Sequence, residues 1–312
     1  MWDGVDHHAT LHGIRTGHRA VLPGELTPAG RGTLTTSGSI ARINIEGLIR
    51  SDQERVEALE RLEKSQAEAV ILHINSPGGT TAGSEQLYDA LVRLKAKKPL
   101  VVVVEGLAAS GGYITAIAAD HIVAQQSSLV GSIGVLFQFP NFSELLKTVG
   151  VKVEEVKSSP LKAAPNGFEP TSPEARAALD ALVKDSYAWF RGLVKERRGM
   201  DDALLEKVAD GRVFTGRQAV DLKLIDQLGD EKTAVAWLVA EKKIKSDLPV
   251  RDFKLSPRFG DLTFLRTAAS ITFDALGLGS VARQIEQAGV AQAVDRLGLD
   301  GMLALWRPAG SN

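Results

Sequence analysis

The sequence predicts an α/β protein built on a mainly parallel sheet flanked by helices. Apolar strand-like runs alternate with helical ones from residue 39 onward. The strand runs, such as Pro99-Leu-Val-Val-Val-Val104, are apolar almost throughout, as strands buried on both faces are. The stretches between them carry leucines at helical spacing with charges in between, which places helices against the sheet.

In chain order, residues 1–36 lack periodicity and read as a flexible arm; four of the six histidines fall there without carboxylate framing. Ile40, Ile43, Ile45 and Leu48 predict a first strand, and Asp52–Lys64 a helix through Val56, Leu59 and Leu62. Ala69–Ile74 is a second strand, stopping at Asn-Ser-Pro-Gly-Gly, followed by a helix over Ala82–Lys97. Pro99–Val104 is a third strand, Ser110–Ala119 a helix and Ile122–Ala124 a short strand. Leu129–Phe139 is apolar but broken by glycines; Asn141–Val149 reads as a helix and Val151–Val156 alternates as a strand. Thr-Ser-Pro-Glu starts a long helix over Pro173–Arg198, and the chain stays mostly helical to about 245. The organisation expected is an arm at 1–36, a main domain at 37–250 and an amphipathic helical extension at 251–312, including Leu262–Leu276 and Val281–Leu297.

Composition narrows the function. Thirty-seven Lys and Arg against 38 Asp and Glu leave a net charge of -1, which argues against a nucleic-acid partner. With no cysteine there is no disulfide, thiolate metal site or cysteine nucleophile, and no metal or cofactor is expected. The longest charge-free stretch, Ile122–Ser143, holds glutamines, serines, glycines and a proline, so it is not a membrane span. The sequence also shows no signal peptide and reads as soluble.

Two glycine-rich turns are expected at Asn75–Gly79 and Glu105–Gly112, each between an apolar strand and a helix. Backbone N–H groups there suit a phosphate or a developing oxyanion. No Gly-Lys-Ser/Thr or dinucleotide fingerprint is present. Ser110 in the second segment is either an N-cap or an exposed nucleophile. A hydroxyl nucleophile needs a base, and the folded part offers two histidines. His73 sits inside a strand, and His121 opens a strand leaving the turn. A lysine serves only when neutral; its pKa must fall from about 10.4 to about 7–8, roughly 4 kcal/mol of desolvation. The candidates are Lys162, flanked by Leu161, Ala163 and Ala164 between two prolines, and Lys157, in a more polar setting. Leu136-Phe-Gln-Phe-Pro140 is either a core strand or the lining of a hydrophobic cleft.

The ordered set Ile74-Asn-Ser-Pro-Gly-Gly79, Ala108-Ala-Ser-Gly-Gly-Tyr113, Val130-Gly-Ser-Ile-Gly-Val135 and Lys157-to-Lys162 resembles the signal peptide peptidase A family of serine proteases. Gly211-Arg-Val-Phe-Thr-Gly216 and Leu224-Ile-Asp226 extend the likeness, over about residues 38–245. The resemblance implies the Clp protease/crotonase fold of stacked ββα units. It implies Ser110 as nucleophile, Lys162 as general base, Ser132 as the residue orienting that lysine, and the N–H groups of Gly79 and Gly111 as the oxyanion hole. It also implies a serine endopeptidase that cleaves hydrophobic peptides such as remnant signal peptides through an acyl-enzyme. A homo-oligomeric ring and association with the bacterial inner membrane belong to the same picture, although the family's N-terminal anchor has no counterpart here. The amphipathic stretches of the tail offer a membrane-surface contact or a packing face. Two other readings compete: a crotonase-like acyl-CoA hydratase or isomerase, and a catalytically silent scaffold of a membrane complex.

Overall fold

A computed structural model describes residues 38–255 and the three-residue strand 303–305. The expected arm at 1–36 and the stretches Leu262–Leu276 and Val281–Leu297 lie outside the described residues.

Four parallel strands form the centre. β1 (Ile40–Ile49) pairs with β2 (Ala69–Thr80), and β2 with β3 (Leu100–Ala109). β4 (His121–Ala124) takes the outer edge of β3 at Val101–Val104. Farther along the same edge, β5 (Leu129–Gly131) pairs with Leu107–Ala109. β6 (Val213–Thr215) adds antiparallel to β5, β7 (Gln227–Leu228) pairs with β4, and β8 (Val250–Asp252) pairs with β1. A last strand, β9 (Leu303–Leu305), lies antiparallel on the end of β2.

The period of two along these strands sorts the core into two layers. Ala41, Ile43, Val70, Leu72, Val102 and Val104 face one side. That side is covered by α1 (Gln53–Glu63), α2 (Thr81–Lys95), α3 (Gly111–Ala116) and α5 (Pro173–Arg198), whose buried residues include Leu59, Leu91, Ile114 and Phe190. Ile40, Ile71, Val101, Val103 and Val123 face the other side, under Ala234 and Leu238 of α8 (Glu231–Lys242). Val101–Val104 have no exposed surface, the condition that made their sequence an unbroken valine run. Beyond α8 the second face turns polar. There the His73 ring bridges Glu105 and Glu231 at 2.9 and 2.8 Å, and Arg42 holds Glu231 at 2.6 Å. The short helices α4 (Ser143–Thr148), α6 (Asp202–Val208) and α7 (Gly216–Asp221) complete the described chain.

Helix starts follow their caps. Asp52, Thr80 and Ser172 each accept a backbone N–H three residues on, and Pro173 opens α5 as expected.

Two expectations need correction. Val151–Val156 is not a strand; all six residues are exposed, and no described strand pairs with them. Alternation marks a strand only where a sheet edge receives it. The two glycine-rich segments are strand continuations rather than turns: β2 runs on to Thr80 and β3 to Ala109. Bulges between Glu46 and Leu48, and between Ile74 and Ser76, absorb the irregular register. Of Leu129–Phe139, only Leu129–Gly131 forms a strand, because the chain turns at positive-φ Gly131 and Ser132.

Candidate active site

Ser110 stands where β3 ends and α3 begins. Its backbone has φ 54° and ψ -117°, a conformation otherwise left mainly to glycine. Three backbone hydrogen bonds hold it there. Its N–H donates to Gly131 O at 2.8 Å, and its carbonyl accepts from Tyr113 and Ile114 at 2.9 and 3.0 Å. Ser110 occupies the cap position of α3, yet its side chain caps nothing. Its Oγ faces Gly134 O at 3.5 Å, the long limit of a hydrogen bond. The hydroxyl is therefore not consumed by local structure.

The register of β3 and β5 brings the second serine alongside. Ala109 pairs with Gly131, so Ser110 and Ser132 each follow the last paired residue of parallel neighbours. Ser132 also has positive φ, 53°, is buried, and donates its N–H to Arg212 O at 2.8 Å. Two non-glycine residues at positive φ on adjacent strand ends mark a locally strained site of the kind found where function demands it.

The third component is the end of β2. A Cβ on Gly112 would lie 2.7 Å from Ser76 O, so the first turn of α3 presses against β2. Three residues past Ser76, a Cβ on Gly79 would lie 1.8 Å from Ile49 O; no other residue fits while β1 and β2 keep this approach. Ser76 fixes the bend by donating its Oγ to Gly47 O at 2.7 Å and accepting the Gly78 N–H at 3.1 Å.

The lysines behave differently. Lys157 is half-buried and lies 2.6 Å from Glu155 and 2.5 Å from Glu169. Hydrogen bonds to Glu155 and then Glu169 raise its pKa above the ordinary lysine value, which suits a structural cation and not a base. Lys162 lies in a turn, its N–H donating to Ser159 O at 3.1 Å, and the residue is exposed. Within the single chain no hydrogen bond joins it to Ser110. The structure sets Ser110 and Ser132 on adjacent strand ends and presses the first turn of α3 against β2 at Ser76.

Neither histidine approaches the serine. His121 stacks on Trp237 at 4.6 Å, and His73 is held by Glu105 and Glu231. The carbonyl of Gly134 was invisible as a site group in the sequence, because any residue supplies a carbonyl. Leu136, Phe137 and Phe139 do not form a core strand. They line a groove of about 670 Å³ with Pro173, Leu179 and Val183 of α5.

The family model for peptidase family S49 matches residues 92–245, and that for Clp protease matches residues 43–128. A Synechocystis sp. protein bearing a protease name is 37% identical over 205 residues, 65% of this chain and 74% of its own length. The chain belongs to peptidase family S49. Other relatives are Protease 4 of Haemophilus influenzae, 31% identical over 69% of this chain and 37% of its own length, and the chloroplastic serine protease SPPA of Arabidopsis thaliana, 32% identical over 68% of this chain and 30% of its own. The chain thus spans about a third of these two. S49 membership puts the protein among the serine-type peptidases rather than the acyl-CoA hydratases. The Clp protease match over β1–β4 agrees with the parallel sheet and covering helices described above. Among the described residues no helix is long and apolar enough to cross a membrane.

Proposed function

We propose that the protein is an endopeptidase using Ser110 as nucleophile and Lys162 as general base, with the base delivered by a neighbouring copy of the chain. The observation that carries this reading is the Ser110 turn: a strained, non-capping serine beside a glycine strand end. Its hydroxyl attacks a peptide carbonyl while a neutral amine takes the proton. The oxyanion forms against the N–H groups of Gly79 and Gly111, each such donor contributing about 3–4 kcal/mol to barrier lowering. The amine then protonates the leaving nitrogen, and water releases the acyl group. Ser132 orients the arriving amine.

Delivery in trans is supported by what surrounds Lys162. Phe142, Leu145, Val149, Val153, Leu161 and Phe168 are exposed along the same segment. A stretch that apolar is an interface in search of a partner. Burial against a second copy also supplies the desolvation that a lysine base requires. A homo-oligomeric ring satisfies every subunit equally, each giving one lysine and receiving one. The substrates are extended hydrophobic peptides of the remnant signal-peptide kind, docked along the Leu136–Phe139 groove near the inner membrane.

The deciding experiment is fluorophosphonate labelling of wild type, Ser110→Ala, Lys162→Ala and Lys157→Ala. Labelling is expected to disappear in the first two variants and persist in the third. Retained labelling in Ser110→Ala would falsify the nucleophile assignment; loss in Lys157→Ala with retention in Lys162→Ala would transfer the base to Lys157.

A further inference from the structure

β9 lies antiparallel on the last three residues of β2, with Thr80 opposite Leu303, Gly79 opposite Ala304 and Gly78 opposite Leu305. Up to Ser76, that flank of β2 belongs to β3, where Ser76 faces Ala108. Two residues later β3 ends, and the chain turns at Ser110 into α3. Gly78–Thr80 would then present an unpaired strand edge, with β1 behind it and the Ser110 turn beside it. Such an edge accepts an extended backbone as an added strand. In this chain the added strand is the chain's own, drawn from the uncharged run Met302-Leu-Ala-Leu-Trp306.

We propose that Leu303–Leu305 is a tethered occupant of the peptide-docking edge, competing with the Leu- and Ala-rich extended substrates that the edge accepts. This rests on the peptidase reading above. Because β9 belongs to the same chain, rebinding is an intramolecular event, so a weak strand can hold the edge. A substrate reaches Gly79 and Ser110 only in the fraction of molecules whose edge is empty. If β9 is seated nine-tenths of the time, the apparent affinity for peptide is about tenfold weaker than that of the open edge.

The absence of native cysteine allows a direct test in the full-length chain. Residues directly opposite in an antiparallel pair have Cα atoms about 4.5–5.5 Å apart, within disulfide reach. Thr80→Cys combined with Leu303→Cys is expected to form an intrachain disulfide on oxidation. Cleavage of a fluorogenic Leu/Ala-rich peptide should then fall at least tenfold and recover on reduction. In a separate variant, Ala304→Pro removes a strand N–H and unseats β9; KM for that peptide is expected to fall about tenfold with kcat unchanged. Thiols that stay reduced, or that link two chains instead of one, overturn the occupancy whatever the activity. A disulfide that leaves cleavage untouched, or an unchanged KM in Ala304→Pro, overturns the competition. If wild type neither labels with fluorophosphonate nor cleaves peptide, the peptidase reading fails instead, and the crosslink still decides where β9 sits.

Discussion

Replacing Ser110 by glycine is expected to abolish activity and make the protein more stable. The comparison that isolates the cause is Ser110→Gly against Ser110→Ala. Both lose the hydroxyl and its 3.5 Å approach to Gly134 O, so that contact cancels. Alanine keeps a Cβ at φ 54° and ψ -117°, a sparsely populated region where an L side chain costs about 1–3 kcal/mol. Glycine escapes that cost but gains unfolded-state freedom, about 0.5–1 kcal/mol in the opposite sense. The balance favours glycine by about 1 kcal/mol, the reverse of the order at an ordinary helix or strand position. For a chain of this size that corresponds to a melting temperature about 2 °C higher for Ser110→Gly. Urea unfolding of the two full-length variants, followed by circular dichroism, reads the difference, and fluorophosphonate labelling verifies that both are inactive. If Ser110→Ala proves as stable as Ser110→Gly or more so, the serine is not held in a strained turn.

Other expectations follow from the same contacts. Mixing Ser110→Ala with Lys162→Ala subunits under exchanging conditions should restore roughly a quarter of wild-type activity, because random assembly pairs an intact serine with an intact lysine at one junction in four; no recovery would mean that serine and lysine come from one chain. If an amine takes the Ser110 proton, kcat/KM climbs with pH, and a profile that is flat from about pH 5 to 10 with chemistry rate-limiting contradicts it. Hydrogen bonding from Arg42 and then His73 lowers the pKa of Glu231. A depressed carboxylate contributes stability above its unfolded value of about 4.3 and loses it as pH falls through the folded value. Denaturation midpoints of Glu231→Gln should therefore lie below wild type at neutral pH and converge with it below about pH 4. Gly79→Ala forces its Cβ to 1.8 Å from Ile49 O, so the β1–β2 approach must open; soluble, fully active protein would contradict the packing.

The central sheet was legible because burial on both faces writes itself into sequence: Val101–Val104 cannot be anything but apolar. Helix starts were legible through Asp52 and Ser172, whose side chains act within three residues. What stayed hidden depends on partners distant in sequence. Asn75–Thr80 looks like a turn, since Pro and Gly usually make one, but β1 accepts it as a strand through a bulge that no local signal announces. Val151–Val156 carries a strand's alternation without an edge to join. Ser110 could be singled out from its glycine-rich setting, but not its positive φ, which is imposed by the bonds to Gly131, Tyr113 and Ile114. The distinction between Lys157 and Lys162 depended on Glu155 and Glu169, and Glu169 is twelve residues from the lysine it neutralises.

The exposed address of Lys162 bears on when the enzyme is dangerous. If the base comes from a neighbouring copy, as proposed, a newly made polypeptide carries a nucleophile with nothing to awaken it, and a lone molecule is harmless to whatever it meets. Cutting would then begin only once enough siblings have gathered, and fade again on dilution. On that proposal, abundance at one location becomes the on-switch.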